Sequence, residues 1–292
     1  MTSGFSTAEL GIVRRAYARQ LLASVGEDPP LERAFAETPR EAFLGPGPWM
    51  MKRDGFRAYE PLPAEPVLAY QNVLIGLRPD KGVNNGMPWL HAHWLHAAQV
   101  APGERVVHIG AGAGYYSAIL SRLVGARGQV TAVEFDGELA KAARANLTGY
   151  RNVAVVQGDG ADWPREACDV IYVNFAVDRP AAPWLERLRP GGRLLFPLGT
   201  ISRGPGHPAH GIGLCVTAAG DAAVFAARSL GNAFFIRAEG AGALLAEGAE
   251  REGMLAAFEK GGEVRSLRWR TPPSAGRALF VGAGWSLGDD AP

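Results

Sequence analysis

Residues 106–115 read Val106-Val107-His108-Ile109-Gly110-Ala111-Gly112-Ala113-Gly114-Tyr115. Arg105–Ile109 is a short, mostly apolar run of strand length, and residues 114–124 carry a helix-like pattern. Between them lies Gly-x-Gly-x-Gly. Small residues at that place let the chain turn sharply and let a ligand approach the backbone. The free N–H groups at the start of the next helix favour an electronegative ligand group. A tight turn with no ligand uses glycines too, so the neighbouring strands carry the discrimination.

Downstream, strands and helices alternate. Gln129–Glu134 is a strand ending in a carboxylate 24 residues beyond Gly110, about where an acidic residue meets the two hydroxyls of a ribose. Asp136 caps a helix carrying Leu139, Ala143 and Leu147. Val153–Gln157 is a third strand, and it runs into Gly158-Asp159-Gly160. Asp159 can accept a hydrogen bond from the exocyclic amine of adenine. Asp169–Asn174 and Gly192–Pro197 are further strands, the second opened by Pro190-Gly191, with a short helix over 180–188. Such alternation predicts βαβ units and a parallel sheet, with ligands at the carboxyl ends of its strands. The expected fold is α/β, a Rossmann-like, doubly wound, mostly parallel sheet with a helical N-terminal segment and an antiparallel C-terminal addition. Its parts are residues 1–100, a core over 101–238, and an extension over 239–292.

The flanks are read in the same way. Ser6 and Glu9 form a capping box before a stripe of Leu10, Val13, Tyr17 and Leu21. Asp28-Pro29-Pro30 opens a second helix through about Thr38, which Pro39 ends. Residues 45–88 read as loops and short extended pieces, and 88–99 as a helix. Ile212–Thr217, Ala222–Arg228 and Ala233–Ala238 look like antiparallel strands with turns at Ala219-Gly220-Asp221 and Gly231-Asn232. A helix over 249–260 and strands over 264–270 and 277–284 follow, and the tail looks frayed.

Composition excludes several classes. The 292 residues hold 30 basic and 29 acidic side chains, a net charge of +1, so no basic excess favours a nucleic-acid partner. Two cysteines, Cys168 and Cys215, make neither a disulfide scaffold nor a four-cysteine zinc site. The N-terminus has no signal-peptide pattern and no apolar run reaches transmembrane length, so a cytoplasmic chain with no membrane partner is expected.

The glycine turn also distinguishes nucleotides. A dinucleotide fingerprint wants Gly-x-Gly-x-x-Gly, whereas here the third glycine comes one residue early and Tyr115 takes the sixth place. S-adenosylmethionine suits the set better, because its glycine turn faces an amino acid and a sulfonium rather than a pyrophosphate. Four segments, Glu37–Leu44, Val106–Tyr115, Asn152–Gly160 and Leu188–Gly199, then resemble class I S-adenosylmethionine-dependent methyltransferases. More narrowly they resemble protein-L-isoaspartate O-methyltransferases, over roughly residues 30–238. The resemblance implies S-adenosyl-L-methionine as cofactor, bound by Gly110, Gly112, Gly114, Glu134, Asp159 and Gly160, and no metal. It implies an O-methyltransferase acting on a carboxylate or hydroxyl of a peptide, protein or small-molecule acceptor.

The departures lie on the acceptor side. The family's Thr-Ile-Ser-x-Pro loop corresponds to Val83-Asn84-Asn85-Gly86-Met87-Pro88, with Gly86 at the serine, and the family's acidic residue at the end of the first strand is His108. Weak or no isoaspartyl methylation is therefore expected. Asn84, Asn85 and Asn174 are the acceptor-side residues of choice, since an amide both donates and accepts. His91, His93, His96 and His108 are candidate bases for a hydroxyl acceptor. The first three read primarily as helix histidines, with zinc or acceptor binding as alternatives, and a hydrogen bond ordering the glycine loop suits His108. Trp49, Trp89 and Trp94 wall a cleft or pack the core. The competing functions are a nicotinamide-dependent oxidoreductase and a non-catalytic methyltransferase-fold module.

Overall fold

The computed structural model describes residues 4–53, 58–201, 209–220, 223–237, 239–240, 244–246 and 248–292. In chain order the helices are α1 (Thr7–Leu22), α2 (Pro29–Glu37), α3 (Pro88–Ala98), α4 (Tyr115–Val124), α5 (Gly137–Asn146), α6 (Ala182–Glu186) and α7 (Gly248–Lys260). The strands are β1 (Trp49–Lys52), β2 (Glu60–Leu62), β3 (Leu74–Arg78), β4 (Val83–Asn84), β5 (Arg105–Ile109), β6 (Gln129–Glu134) and β7 (Val153–Gln157). They continue as β8 (Cys168–Val173), β9 (Leu188–Ile201), β10 (Ala209–Ala218), β11 (Val224–Phe235), β12 (Ser266–Trp269), β13 (Ala278–Gly282) and β14 (Trp285–Gly288). Two compact units form, Met1–Arg105 with Ala111–Gln157, and Val106–Gly110 with Gly158–Pro292.

In the first unit, α1 starts where the sequence places it. The Ser6 side chain accepts from Glu9 N–H and the Glu9 carboxylate takes the Ser6 N–H, a complete capping box. Asp28 caps α2 through Leu31 N–H at 3.1 Å. Residues 45–88 are more regular than their glycine and proline content suggests. They fold into an antiparallel sheet of order β2-β1-β3-β4. The organising group is Arg40, fully buried on the turn after α2. Its Nη1 donates to the carbonyls of Ala69 and Gln71, both at 2.8 Å, and its Nη2 to Val73 O and Asn85 Oδ1, both at 2.9 Å. A guanidinium presents its donors in a rigid plane, so one side chain holds four acceptors from separated segments in fixed relation. On α4, Tyr115 is buried with Phe35 and Phe43 packed edge-on at 6.5 and 5.6 Å. The parallel ladder β6–β7 completes this unit, pairing Val130 with Val153 through Glu134 with Gln157.

In the second unit the strand order is β13-β14-β12-β11-β10-β9-β8-β5. The ladders β5–β8 and β8–β9 are parallel, and those from β9 onward are antiparallel. The α/β class, the parallel ladders and the antiparallel addition are as expected. Three details differ. Strand β9 begins at Leu188, ahead of Pro190-Gly191. Its partners on β8 step from Cys168↔Leu188 to Val170↔Arg193, so these residues bulge out of the ladder, with Gly191 at φ 74°. Gly231-Asn232 makes no hairpin turn. Between Ile212↔Asn232 and Leu214↔Ser229, two residues of β11 oppose one of β10, and Gly231 takes φ 87°. Glycine here supplies a bulge in one long strand rather than a reversal. Asp221, Ala222 and Ala238, at the edges of the expected turn and strands, lie outside the described residues.

The tail also differs from the expectation of fraying. All four residues of β14 are buried, and the strand pairs with both β12 and β13. Beyond it the Asp290 carboxylate accepts from Arg268 Nη2 at 2.6 Å, Ser274 Oγ at 2.6 Å and Ser266 Oγ at 3.0 Å. These bonds hold its carboxyl well below the usual carboxylate range. Full burial of β14 and polar anchors beyond it tie down an end that composition alone makes look loose.

Arg40 gives the first prediction. Removing its donors leaves four oxygens short of a partner, at about 1–3 kcal/mol for each acceptor left buried and unsatisfied. Arg40→Met lowers the unfolding free energy by more than about 3 kcal/mol, and Arg40→Lys by roughly half as much, because an ammonium has three donors and no planar fork. Urea melts check this; a loss under about 1 kcal/mol in the methionine variant contradicts it.

Candidate functional site

The glycine turn is held open by positive backbone angles. Gly110, Gly112 and Gly114 have φ of 76°, 55° and 95°, a region that other residues rarely adopt. A Cβ on Gly114 would lie 2.7 Å from Leu147 Cδ1, and one on Gly110 3.0 Å from Phe175 Cδ1. Within the first unit, Ala111 N–H donates to Val133 O at 3.1 Å and Gly112 N–H to Glu134 Oε2 at 2.7 Å. The other oxygen, Glu134 Oε1, accepts from Asp136 N–H at 3.0 Å. Glu134 is buried, and burial pushes its carboxyl pKa up against these hydrogen bonds. Beside it Phe135 is 45% exposed, an apolar ring left open to solvent next to a polar cradle. The sequence signal for Phe135 is an aromatic directly after a strand-end carboxylate.

Asp136 caps α5 through Glu138 and Leu139 N–H groups at 2.9 and 3.2 Å. Its other oxygen accepts from Lys81 Nζ at 2.8 Å and Arg78 Nη1 at 3.2 Å. The lysine contact leads the lowering of its carboxyl pKa. The β3–β4 corner is thereby tied to the start of α5.

In the second unit Asp159 opens a short 3-10 turn, its Oδ1 accepting from Ala161 N–H at 2.9 Å. Gly160 is enclosed: a Cβ there would lie 2.2 Å from Ile109 Cγ2, and its carbonyl accepts from Trp184 Nε1 at 2.9 Å. His108 is fully buried on β5, and its Nε2 lies 2.7 Å from Asn174 Nδ2. Its ring thus meets Asn174, the residue that follows β8. Burial pushes the imidazole pKa down to about 3, so it is neutral at physiological pH.

The asparagines expected on the acceptor side bond to the framework through their oxygens. Asn84 Oδ1 accepts from Gly86 N–H at 2.9 Å and its Nδ2 donates to Gly82 O at 3.2 Å. Asn85 is buried, with Oδ1 shared between Arg40 and Ile75 N–H, the latter at 3.3 Å. Gly86 has φ 73°, and a Cβ on it would lie 2.0 Å from His91 Nε2. The His91 ring stacks on Tyr116 with centroids 3.8 Å apart. The serine of related loops is therefore excluded both by backbone angle and by an imidazole that fills its place. His96 Nδ1 lies 3.0 Å from Asp28 Oδ2, and His93 stacks on Trp89. Trp49 and Trp94 are core residues, while Trp89 is 40% exposed. Among the described residues no three His, Cys, Asp or Glu side chains come together as a metal site. No helix among them is long and apolar enough to cross a membrane.

Solved structures share the fold. One protein-L-isoaspartate O-methyltransferase superposes with TM-score 0.63 at 24% identity, over 86% of this chain and 71% of that one. A second, from Plasmodium falciparum and solved with S-adenosyl-L-homocysteine, gives TM-score 0.60 at 13% identity over 77% of this chain and 98% of that one. A strand, glycine turn and helix followed by a carboxylate-ended strand, in this fold, define a class I S-adenosylmethionine-dependent methyltransferase. The family model of protein-L-isoaspartate(D-aspartate) O-methyltransferase matches residues 58–204. The second such enzyme of Pelobacter propionicus is 35% identical over 63% of this chain and 74% of its own. That of Aeropyrum pernix is 46% identical over 39% of this chain and 45% of its own. The chain belongs to the protein-L-isoaspartate O-methyltransferase family. These matches support neither the oxidoreductase nor the non-catalytic alternative.

His108 generates a prediction for stability against pH. Its folded pKa, about 3, lies below the ordinary value of 6.5, so the unfolded chain binds the proton more readily. Stability is therefore intact above pH ~6.5 and is lost as pH falls toward the folded value, with a slope approaching about 1.4 kcal/mol per pH unit. His108→Gln has a shallower decline between pH ~7 and ~4.5 in urea melts. An unchanged slope contradicts the assignment.

Proposed function

We propose that this chain is a carboxyl O-methyltransferase of peptides or proteins. In this reading Gly110, Gly112, Gly114, Glu134, Asp159 and Gly160 hold the adenosyl cofactor and the acceptor is a carboxylate other than an isoaspartyl residue. The cofactor fit rests on the positive φ of Gly110, Gly112 and Gly114, which keeps side chains off the turn, and on the paired oxygens of Glu134. Those oxygens hold backbone N–H groups now, and a carboxylate has further lone pairs for a ribose diol. Phe135 offers its exposed ring to a flat apolar face such as adenine.

When bound, the cofactor supplies a methyl group activated on a sulfonium. A carboxylate acceptor would need only to be held in line with that methyl group. No proton moves, because a carboxylate is already ionised at neutral pH. The protein's part is alignment of the two reactants and exclusion of water.

One observation carries the choice of carboxylate over hydroxyl. A hydroxyl acceptor needs a base; His96 is held at Asp28 and His108 is buried at Asn174, while His91 and His93 stack on Tyr116 and Trp89, and a carboxylate acceptor asks for proton transfer from none of them. The exchange of serine for Gly86, backed by His91, supports an acceptor geometry unlike the family's own.

Calorimetry with S-adenosyl-L-homocysteine tests the cofactor half. Micromolar affinity is expected, falling at least about tenfold in Glu134→Ala and several-fold in Phe135→Ala. Absence of binding near 1 mM overturns it. Radiolabelled methyl transferred to a peptide pool tests the acceptor half. Methyl esters release methanol in mild alkali, whereas label that survives alkali contradicts a carboxylate acceptor.

A further inference from the structure

In the second unit, α7 packs on β13 and β9. Its first turn is pinned: Glu250 Oε1 accepts from Ala283 N–H at 2.9 Å and from Trp285 Nε1 at 3.3 Å, at the β13–β14 corner. Residues 250, 254, 257 and 258 recur at helical spacing and share one face. On that face Met254 is buried, and Phe258 lies so close to β9 that a Cβ on Gly199 would collide with its ring. Ala257 is the small member of the face, and Gly261 follows the last turn, its N–H donating to Ala257 O at 3.1 Å. Met254 and Phe258 set the helix's distance from the sheet, and the two small residues leave space beside them.

That space is a pocket of about 130 Å³. Its large side chains are Ile212, Met254, Phe258, Leu279, Phe280 and Leu287. Ser229 is the one polar side chain of its lining among the described residues, and its Oγ already accepts from Gly231 N–H at 3.1 Å. A buried water needs about 2–4 polar partners, which these walls do not supply, whereas an apolar cavity of about 150 Å³ in another protein stays dry and takes benzene. Gly261 and Gly262 complete the lining, both exposed, with φ of 71° and 143°. A Cβ on Gly262 would lie 2.7 Å from Leu279 Cδ2, so glycine keeps this edge clear. The flanking Lys260 and Glu263 are exposed and charged. A free molecule enters beside them without disturbing either charge, whereas an apolar protein surface laid over the opening would desolvate both.

We propose that the pocket under α7 binds a free, compact apolar molecule about the size of one benzene ring. Every residue of its lining lies beyond residues 58–204, the span matched by the family model, and the site does not rest on the cofactor reading. An occupant supplies contacts that the walls lack when the pocket is empty, and so favours the folded extension.

Calorimetric titration of the full chain with benzene tests this. A dissociation constant of about 1 mM or lower is expected, well within what a ligand of about six heavy atoms can reach. Ala257→Leu keeps a strong helix former, places its added carbons in the pocket and weakens benzene binding by at least about tenfold. Absence of binding by the wild type below about 10 mM overturns the proposal, and so does an Ala257→Leu variant that binds as the wild type does. If that variant does not fold, anomalous scattering from bromobenzene soaked into wild-type crystals decides. A peak between α7 and β13 supports the site; peaks only elsewhere, or none, overturn it.

Discussion

The hydrogen bond from Gly112 N–H to the buried carboxylate of Glu134, 2.7 Å long, is the contact on which this site is built. It exists because three glycines take positive φ between β5 and α4, which aims a backbone N–H at the end of the next strand. A side chain at Gly114 would collide with Leu147, so the same constraint seats α4 against α5. Burial alone opposes a charge on Glu134. Two backbone N–H groups offset that cost and hold its oxygens in position. A carboxylate already oriented has less entropy to lose when it takes a diol. The residues that make the turn possible are thus the residues that fix this carboxylate.

Arg40 does for the Asn84–Gly86 loop what the glycines do for the turn after β5. Four acceptors from Ala69 to Asn85 converge on one fully buried guanidinium. That hub converts a glycine- and proline-rich stretch into a defined sheet and delivers Asn84-Asn85-Gly86 in a fixed pose. The loop is rigid in its bonding but altered in its chemistry. Gly86 leaves room that His91 occupies.

Much of this was legible from residue order. Alternating strand and helix patterns placed β5, β6 and β7 and the carboxylates that follow them, because short buried strands and capped helices leave strong local signals. Capping residues located the starts of α1, α2 and α5. What sequence hid was set by long-range partners. The role of Arg40 depends on carbonyls some 30 residues away. The pairing of Gly86 with His91 is steric and has no pattern of its own. Gly231 looks the same in a hairpin turn and in a bulge, and only the β10 partner register separates them. The last strand escaped notice because Trp285–Gly288 is short and its polar anchor, Asp290, lies beyond it.

In the proposed site the two halves therefore differ in kind: a nucleotide edge formed by family-like residues, and a loop in which His91 fills the space a side chain on Gly86 would take. The most direct measurement is the initial rate of methyl transfer from S-adenosylmethionine to an isoaspartyl peptide, on protein shown to bind S-adenosyl-L-homocysteine. The Pelobacter propionicus relative serves as the reference. A rate at least about 100-fold below the reference, close to 2.7 kcal/mol of lost transition-state stabilisation, is the expected result. A rate within about tenfold of that relative contradicts a rebuilt acceptor loop.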